Sequence, residues 1–462
     1  MTTGQAASVP DAFERALGEI RARVSVSAPC IAIAYSGGLD SSALLHLAHA
    51  WARRQGVELF AFHVHHGLSL NAGRWLALCE RTCGALGVRF DARRVQVETC
   101  GDGIEQAART ARYAALGDLC REYNVPLLLT AHHQDDQVET VLLQLLRGAG
   151  VVGLSGMSPF NEAQRLLGGP LPVLGRPLLE LARADLERYV AQHRIAHVED
   201  ESNADIRFAR NALRHEILPS LAVHFPGFEQ RIVRSAGHFR AAQRLLDELA
   251  AADLSACAVG DSIDLDRLRQ LNEDRMENLL RHWFARHRVR LPATAWLAQM
   301  RVQLLAARED AQVCIVHPDC EIRRHRNRIH LIARSPDAIT CAEPITFRWQ
   351  GEQSISFPAF GGSLHFESAE EGIEAGWLRR QDLQIRYRSG GEKLKRAPDR
   401  PTRSLKHHYQ ELDIPAWERR RLPVVLASAR LVFAAGIGMN WKDVPTNACP
   451  FVRLRWEKDI AT

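Results

Sequence analysis

From residue 30 to about 215 the chain alternates short apolar runs with longer segments of helical apolar spacing, and no other feature limits the fold as much. The runs at 31–35, 57–64, 88–97 and 126–130 read as strands, and the segments at 40–54, 71–86, 104–123 and 135–147 as the helices that follow them. Parallel strands need crossovers of about a dozen residues or more, usually helical, and helices of this length supply them. The pattern therefore predicts an α/β domain with a doubly wound parallel sheet covered on both faces. Ligands on such sheets gather at the carboxyl ends of the strands. The residues just after each run are where chemistry is expected.

Past Pro219 the texture changes. Segments 228–254 and 264–286 are helical in period and rich in Arg, and 310–334 looks strand-like through Val313, Ile315, Ile322, Ile329 and Leu331. Near Cys341 Pro, Gly and aromatic residues increase, and short strands are expected. These shifts divide the 462 residues into a catalytic α/β domain (1–219), a mainly helical domain (220–340) and a small α+β domain (341–462). A net charge of +5 is small for this length, so any nucleic-acid footprint must come from local clustering. Residues 1–20 lack a basic start followed by an apolar core, and Arg147 and Arg430 break the most apolar stretches. Neither a signal peptide nor a membrane span is expected. Ten cysteines form no compact framework and no Cys-x-x-Cys pair, which suits reduced thiols in the cytoplasm.

Ser36-Gly37-Gly38-Leu39-Asp40-Ser41 lies between the first strand and the first helix. A loop in that position aims several backbone N–H groups, with the helix dipole behind them, at one anion. Gly37 and Gly38 permit close approach of phosphate oxygens, and Ser36 and Ser41 add hydroxyl donors. Asp40 is informative, because a carboxylate beside polyphosphate makes sense mainly with Mg²⁺ between them. A Ser/Gly helix cap with an acidic first turn is the plainer alternative. The chain has no Gly-Lys-Ser/Thr, so this is not a Walker loop. Gly148 to Gly153 spells the dinucleotide fingerprint but follows a helix rather than a strand, so a flexible loop at the site mouth is expected there.

The second constellation, Ala131 to Thr140, follows the fourth strand with sequence AHHQDDQVET. On the helix that follows, Asp136 and Glu139 share a face, with Asp135 beside them. Val138, Val141, Leu142 and Leu145 lie on the other side and are expected to anchor the helix to the sheet. Acidic residues in a first turn often only complement the dipole. Three carboxylates and two histidines exceed that need and suit a cationic substrate or a metal. His63, His65 and His66 lack an acidic or cysteine partner nearby, so packing or nucleotide contact is expected of them rather than a transition metal.

The Ser36–Ser41 loop resembles the PP-loop of ATP pyrophosphatases, which grip the leaving pyrophosphate during attack on the α-phosphate. Further motifs match in order and spacing: His65-His66-Gly67-Leu68, Gln106 to Tyr113, the AHHQDDQVET stretch, Arg147-Gly148 to Met157 and Arg176-Pro177-Leu178-Leu179. So do Asp200-x-Ser202-Asn203, Arg210-Asn211 and Arg214. Together they resemble the tRNA(Ile)-lysidine synthetase family, strongly over about 30–218, weakly through the middle helices and again over about 385–423. The resemblance implies a ligase that adenylates O2 of the wobble cytidine in a CAU-anticodon tRNA(Ile) and joins L-lysine at C2, releasing pyrophosphate and AMP. It implies ATP at Ser36, Gly37, Gly38, Leu39, Asp40 and Ser41, with Mg²⁺ on Asp40. It further implies that Asp136 and Glu139 receive the lysine ammonium and help deprotonate it, which with Asp40 makes them the catalytic residues, and that Arg109, Arg112, Arg147, Arg210 and Arg214 contact tRNA or triphosphate.

Residues 385–421 carry eleven Lys and Arg against five Asp and Glu, an excess larger than that of the whole chain. Lys393, Lys395, Arg403 and Lys406 are candidate tRNA contacts, and Tyr387, Tyr409 and Trp417 are interleaved as candidate stacking partners. A basic solvated face is the alternative. Two other functions stay open at this level: a PP-loop tRNA thiolase, which would need paired cysteines near the loop motifs, and a noncatalytic tRNA-binding protein. Oligomeric state is open as well, a dimer being one candidate.

Overall fold

The computed structural model describes residues 8–24, 29–65, 67, 71–96, 104–161, 163–169, 171–199, 206–308, 313–333, 342–442, 445 and 450–459. The chain forms two compact units, 1–248 and 249–462. His66, Leu68, Asp200, Ser202 and Asn203, named above as motif residues, lie outside the described residues.

The first unit opens with a helix, α1 (Val9–Arg23), started by the Ser8 side chain, which accepts from Asp11 N–H, and by Pro10 in its first turn. Its Phe13, Leu17 and Ile20 are fully buried. Four strand–helix repeats follow: β1 (Cys30–Ala34) and α2 (Leu39–Gln55), β2 (Glu58–His65) and α3 (Ala72–Leu86), β3 (Arg89–Arg94) and α4 (Ile104–Glu122), β4 (Leu127–Leu129) and α5 (Gln134–Leu146). Then come α6 (Val151–Leu154), β5 (Phe160–Asn161), α7 (Gln164–Leu167), β6 (Val173–Gly175) and α8 (Arg183–Gln192). The sheet order is β3-β2-β1-β4-β6-β5, parallel except for the β5–β6 pair. Because β1 is flanked by β2 on one side and β4 on the other, the strand order reverses there. A crevice for ligand opens at the carboxyl end of such a strand.

Each face of the sheet has its own core. Ile31, Ile33, Leu44, Leu47, Leu127 and Leu129 belong to one, together with α1 and α8, while Ala32, Phe60, Phe62 and Leu128 pack with Leu116 and Leu119 of α4 on the other. The four predicted strands and helices are present within three residues of their expected ends. One expectation fails. Leu145 does not anchor α5: it is 55% exposed, whereas Val138 and Val141 are buried. The helix outruns the sheet, so its last turn faces solvent. Likewise, 151–154 is a short helix capped by Gly150 rather than wholly loop.

In the second unit the long helix α11 (Phe228–Cys257), which begins in the first unit, ends in a hairpin, Ala258–Val259 and Ser262–Asp264. This hairpin joins strands Arg328–Ala333, Cys320–His325 and Cys314–Val316 in one antiparallel sheet. Helices Glu273–Arg286 and Thr294–Ala306 cover it through Leu279, Leu280, Trp283, Phe284, Leu297 and Met300. The three strands within 314–333 fall in the stretch expected to be strand-like, whereas the hairpin strands, two and three residues long, were too brief to announce. Farther on, a five-stranded and a four-stranded sheet share one core that includes Leu364, Leu383, Ile385, Val424, Phe433 and Leu454.

Candidate active site

Strand β1 ends beneath two glycines whose backbone the loop needs. Gly37 has φ +87°, and a Cβ there would come within 2.9 Å of Cys79 Sγ, so only glycine fits without displacement. The loop is knitted by its own hydroxyls. Ser41 Oγ accepts from Gly37 N–H (3.1 Å), donates to Gly38 O (3.0 Å) and lies 3.0 Å from Ser36 Oγ. Outside the loop, Val198 N–H donates to Gly37 O at 2.9 Å, and Gly38 pairs with Val198 as a single parallel bridge. The conformation is therefore held from both sides before any anion arrives. Gly38 caps α2 with no side-chain acceptor, so the first turn's N–H groups face outward unclaimed by a cap side chain.

Four residues past the end of β4, His133 caps α5. Its Nδ1 accepts from Asp136 N–H (3.4 Å), and Asp136 Oδ2 accepts from His133 N–H (3.0 Å), a reciprocal capping box. The other ring nitrogen, Nε2, lies 3.6 Å from Asp40 Oδ2 and 3.3 Å from Asp136 Oδ2. One buried imidazole thus touches the phosphate loop and the acidic cluster. Burial opposes charge on this ring, yet the Asp40 hydrogen bond and the charges of Asp136, Asp40 and Asp135 hold its pKa above the usual value. Protonating Nδ1 would exchange the Asp136 N–H for the Asp135 carboxylate at 3.9 Å. His132 goes the opposite way: burial first, and then Arg176, Arg210 and Arg109, push it down against the pull of Asp136, so it stays neutral. Its Nδ1 lies 3.0 Å from Thr130 Oγ1.

Asp136 and Glu139 do share a face, and it is occupied by two arginines from the segment after α8. Arg210 reaches Glu139 Oε2 with Nε (2.5 Å) and Asp136 Oδ1 with Nη2 (2.8 Å), while Arg214 reaches Glu139 Oε1 with Nε (2.7 Å) and Asp136 Oδ1 at 3.5 Å. Glu139 is 1% exposed. Burial raises the pKa of Asp136, but His133 and Arg210 outweigh it and hold it below the usual carboxylate range. Arg214 sits in a π-helical turn, Leu213–Ile217, between α9 (Ala209–Ala212) and α10 (Leu218–His224). Such turns are rare and frequent at functional sites. Beside the network lies a cavity of about 220 Å³, with Val138, Leu218, Ala222 and Phe228 on its apolar wall and Arg183 and Glu229 among its charged residues.

Asp40 fits a cation. Its Oδ1 is buried and has no hydrogen-bond partner among the described residues, while Oδ2 faces His133. A hard divalent ion with oxygen ligands would meet that need. Of the histidines of β2, His63 is buried with Nδ1 2.9 Å from Tyr35 O, and among the described residues no group of three or more His, Cys, Asp or Glu is placed to hold a metal. Cys79 and Cys83 pack under the loop, where burial pushes both thiols up to about 12, far from a reactive thiolate.

The other predicted contacts scatter. Arg109 lies over the Tyr113 ring at 5.1 Å, and Arg112 and Arg147 are exposed, Arg147 as the C-cap of α5. Lys393, Arg403 and Lys406 are exposed and Lys395 half-buried, but Arg403 is paired with Glu411, Arg386 with Glu392, and Arg419 is buried against Ile414 O. Tyr409 is fully buried with its hydroxyl donating to Ala435 O and presents no face for stacking, and half-buried Tyr387 packs on Phe360. The sequence pattern missed His133 as the connector and Val198 as the brace. The capping spacing from His133 to Asp136 was the available signal for the first; no local signal marks the second.

Residues 10–221 match the family model of a PP-loop domain, 263–330 that of a TilS substrate binding domain and 383–456 that of a TilS substrate C-terminal domain. The tRNA(Ile)-lysidine synthase of Ralstonia nicotianae is 44% identical over 428 residues, covering 90% of each chain. That of Burkholderia pseudomallei is 40% identical over 465 residues (93% of this chain, 94% of the relative), and that of Nitrosomonas europaea 38% over 413 (89% and 88%).

Proposed function

Because the chain belongs to the tRNA(Ile)-lysidine synthase family, a group of ATP-dependent PP-loop ligases, we propose how its residues divide the reaction. The observation that carries the division is the His133 imidazole, which lies within 4 Å of both Asp40 and Asp136 and so makes the phosphate loop and the acidic cluster one site. ATP is held by Ser36, Gly37, Gly38, Leu39, Asp40 and Ser41, with the backbone N–H groups and the α2 dipole on the phosphates. Asp40 would hold Mg²⁺, which neutralises charge on the triphosphate when bound. O2 of the wobble cytidine is a poor leaving group until AMP is placed on it. Adenylation makes C2 open to an amine and releases pyrophosphate.

L-Lysine brings the amine. Its alkyl chain lies on the apolar wall of the cavity beside Val138 and Phe228, and its ammonium faces Asp136 and Glu139. Arg210 and Arg214 already occupy part of those carboxylates, standing where a cation belongs. Each carboxylate has about four acceptor positions, so an ammonium adds to the network without displacing it. The two guanidinium groups then have a second effect. Positive charge beside an ammonium disfavours its protonated form, and only the neutral amine attacks C2. A base with a reference pKa of about 10.4 needs that help near neutral pH.

The tRNA is bound, in this proposal, by 220–340 and 341–462, with 1–219 performing the chemistry. The family descriptions of 263–330 and 383–456 support it. A thiolase reading is not favoured, since the buried cysteines beneath the loop are inert. The test is pyrophosphate release from ATP with a CAU-anticodon tRNA(Ile), followed by challenge with each amino acid. Lysine alone should be incorporated. Incorporation of sulfur, or of no amino acid, refutes the proposal.

A further inference from the structure

In the second unit the turn from Arg323 to His330 faces the segment 413–418 across a cleft of about 310 Å³. One wall is fixed by interactions of its own. Asp413 Oδ1 meets His325 Nε2 at 3.0 Å and Arg326 Nε at 2.8 Å, and Arg326 Nη2 donates to Gln410 O at 3.2 Å. Trp417 lies edge-on to the His325 and His330 rings, with the Arg323 guanidinium over its face. With those groups committed, the cleft still carries a donor, Arg328, and an acceptor, Glu418, also 3.3 Å from Lys458, while Asp264 on its rim uses Oδ1 to cap the helix that follows, accepting from Asp266 and Arg267 N–H. His330 Nε2 is buried with no hydrogen-bond partner among the described residues. Buried polar atoms without a partner are rare, and each calls for a ligand or another explanation.

The mixture of groups narrows the occupant. A phosphate would meet three carboxylates, Asp264, Asp413 and Glu418, and an aliphatic group would leave every polar atom unmet. The edge of a nucleobase presents donors and acceptors side by side on a flat body. A cleft at the small end of ligand-pocket volumes, roughly 300–1,000 Å³, admits one base and no more. Both walls also belong to segments whose family models are described as substrate domains. We propose that this cleft receives one unpaired base of the bound RNA, read at its edge by His330 Nε2, Arg328 and Glu418. Sequence-specific recognition of RNA targets such unpaired bases. The inference rests on the proposal that tRNA is the substrate of this chain.

The experiment uses the full chain with a CAU-anticodon tRNA transcript and base-specific chemical probing of the complex. His330→Phe keeps the ring against Trp417 and removes Nε2; Glu418→Gln keeps shape and removes charge. The wild type should protect one unpaired base outside the anticodon loop. Each variant should lose that protection and raise the KM for tRNA about tenfold, leaving kcat at saturation and the salt dependence of binding unchanged. If His330→Phe fails to fold, Glu418→Gln decides. Undiminished protection and KM in the folded variant overturn the inference, as does weaker binding with a shallower salt slope, the mark of one fewer phosphate neutralised. Failure of the underlying proposal looks different: the wild type itself would release no pyrophosphate with tRNA and ATP.

Discussion

Glu139→Gln separates the two chemical steps. The side chain is 1% exposed and accepts from Arg210 Nε and Arg214 Nε. Glutamine keeps the volume but offers one acceptor oxygen, and its amide turns a donor toward one of the guanidinium groups. A lost hydrogen bond to a charged group costs about 1.5–3 kcal/mol, and breaking a buried pair about 3–5 kcal/mol. The lower range applies, because both arginines retain Asp136 and their side chains are 30% and 24% exposed, within reach of water. For a folding unit of about 250 residues, roughly 2–3 kcal/mol lowers Tm by about 4–10 °C. Removing the same negative charge from beside the lysine ammonium slows its transfer by about one to two decades. The assay adenylates tRNA with ATP in the absence of lysine, then adds labelled lysine in a single turnover below the variant's Tm. Adenylation should proceed normally and transfer slowly. If adenylation falls as much as transfer, with a raised KM for ATP, Glu139 belongs to the nucleotide and the reasoning is wrong. Asp136→Asn is the internal contrast: through His133 it touches Asp40, so it should slow both steps.

Asp40→Asn should abolish adenylation while leaving tRNA affinity intact, checked by pyrophosphate release and a binding titration. His133 has a folded pKa above the usual value of about 6.5, so its charge contributes stability that is complete below about pH 6.5 and is lost as pH rises through the folded pKa. The Tm difference between wild type and His133→Asn should therefore be largest near pH 6 and shrink by pH 9; a difference that grows with pH contradicts the assignment. Replacing Lys393, Lys395 and Lys406 by Ala should weaken tRNA binding and flatten the slope of log affinity against log salt by about 2, read from titrations at several ionic strengths. Gly37→Ala should raise the KM for ATP and destabilise the unit by about 1 kcal/mol or more, since alanine is strained at φ +87° and its methyl meets Cys79 Sγ. Cys79→Ala should restore part of the loss, measured as a double-mutant cycle.

The elements of the first unit were legible because their signals are local. Four strand runs, three of them buried and β3 at the sheet edge, each followed by a helix of 13 to 19 residues, leave little choice but a parallel sheet. Helix α1 escaped notice because it precedes the repeats and buries only one face, through Phe13, Leu17 and Ile20. The hairpin at 258–264 was hidden because two- and three-residue strands show no alternation. In the tail, charge clustering drew attention to 385–421, but Arg386 and Arg419 are tied into the fold, Arg403 pairs with Glu411 at the surface, and Tyr409 is interior. Charge counts register composition, whereas exposure depends on which side of a strand or helix meets the core.

The phosphate loop, its place after β1 and the acidic face of α5 could be read from neighbouring residues alone, since loop, strand end and helix face are local properties. What those groups do for one another follows from long-range packing. Arg210 and Arg214 are more than seventy residues from Glu139 along the chain yet within 2.7 Å of it, and Val198 lies 161 residues beyond the Gly37 carbonyl it braces. Such pairings depend on where the chain places Val198 beside Gly37, and Arg210 and Arg214 beside α5. No local spacing encodes that placement; the burial of both faces of the sheet does.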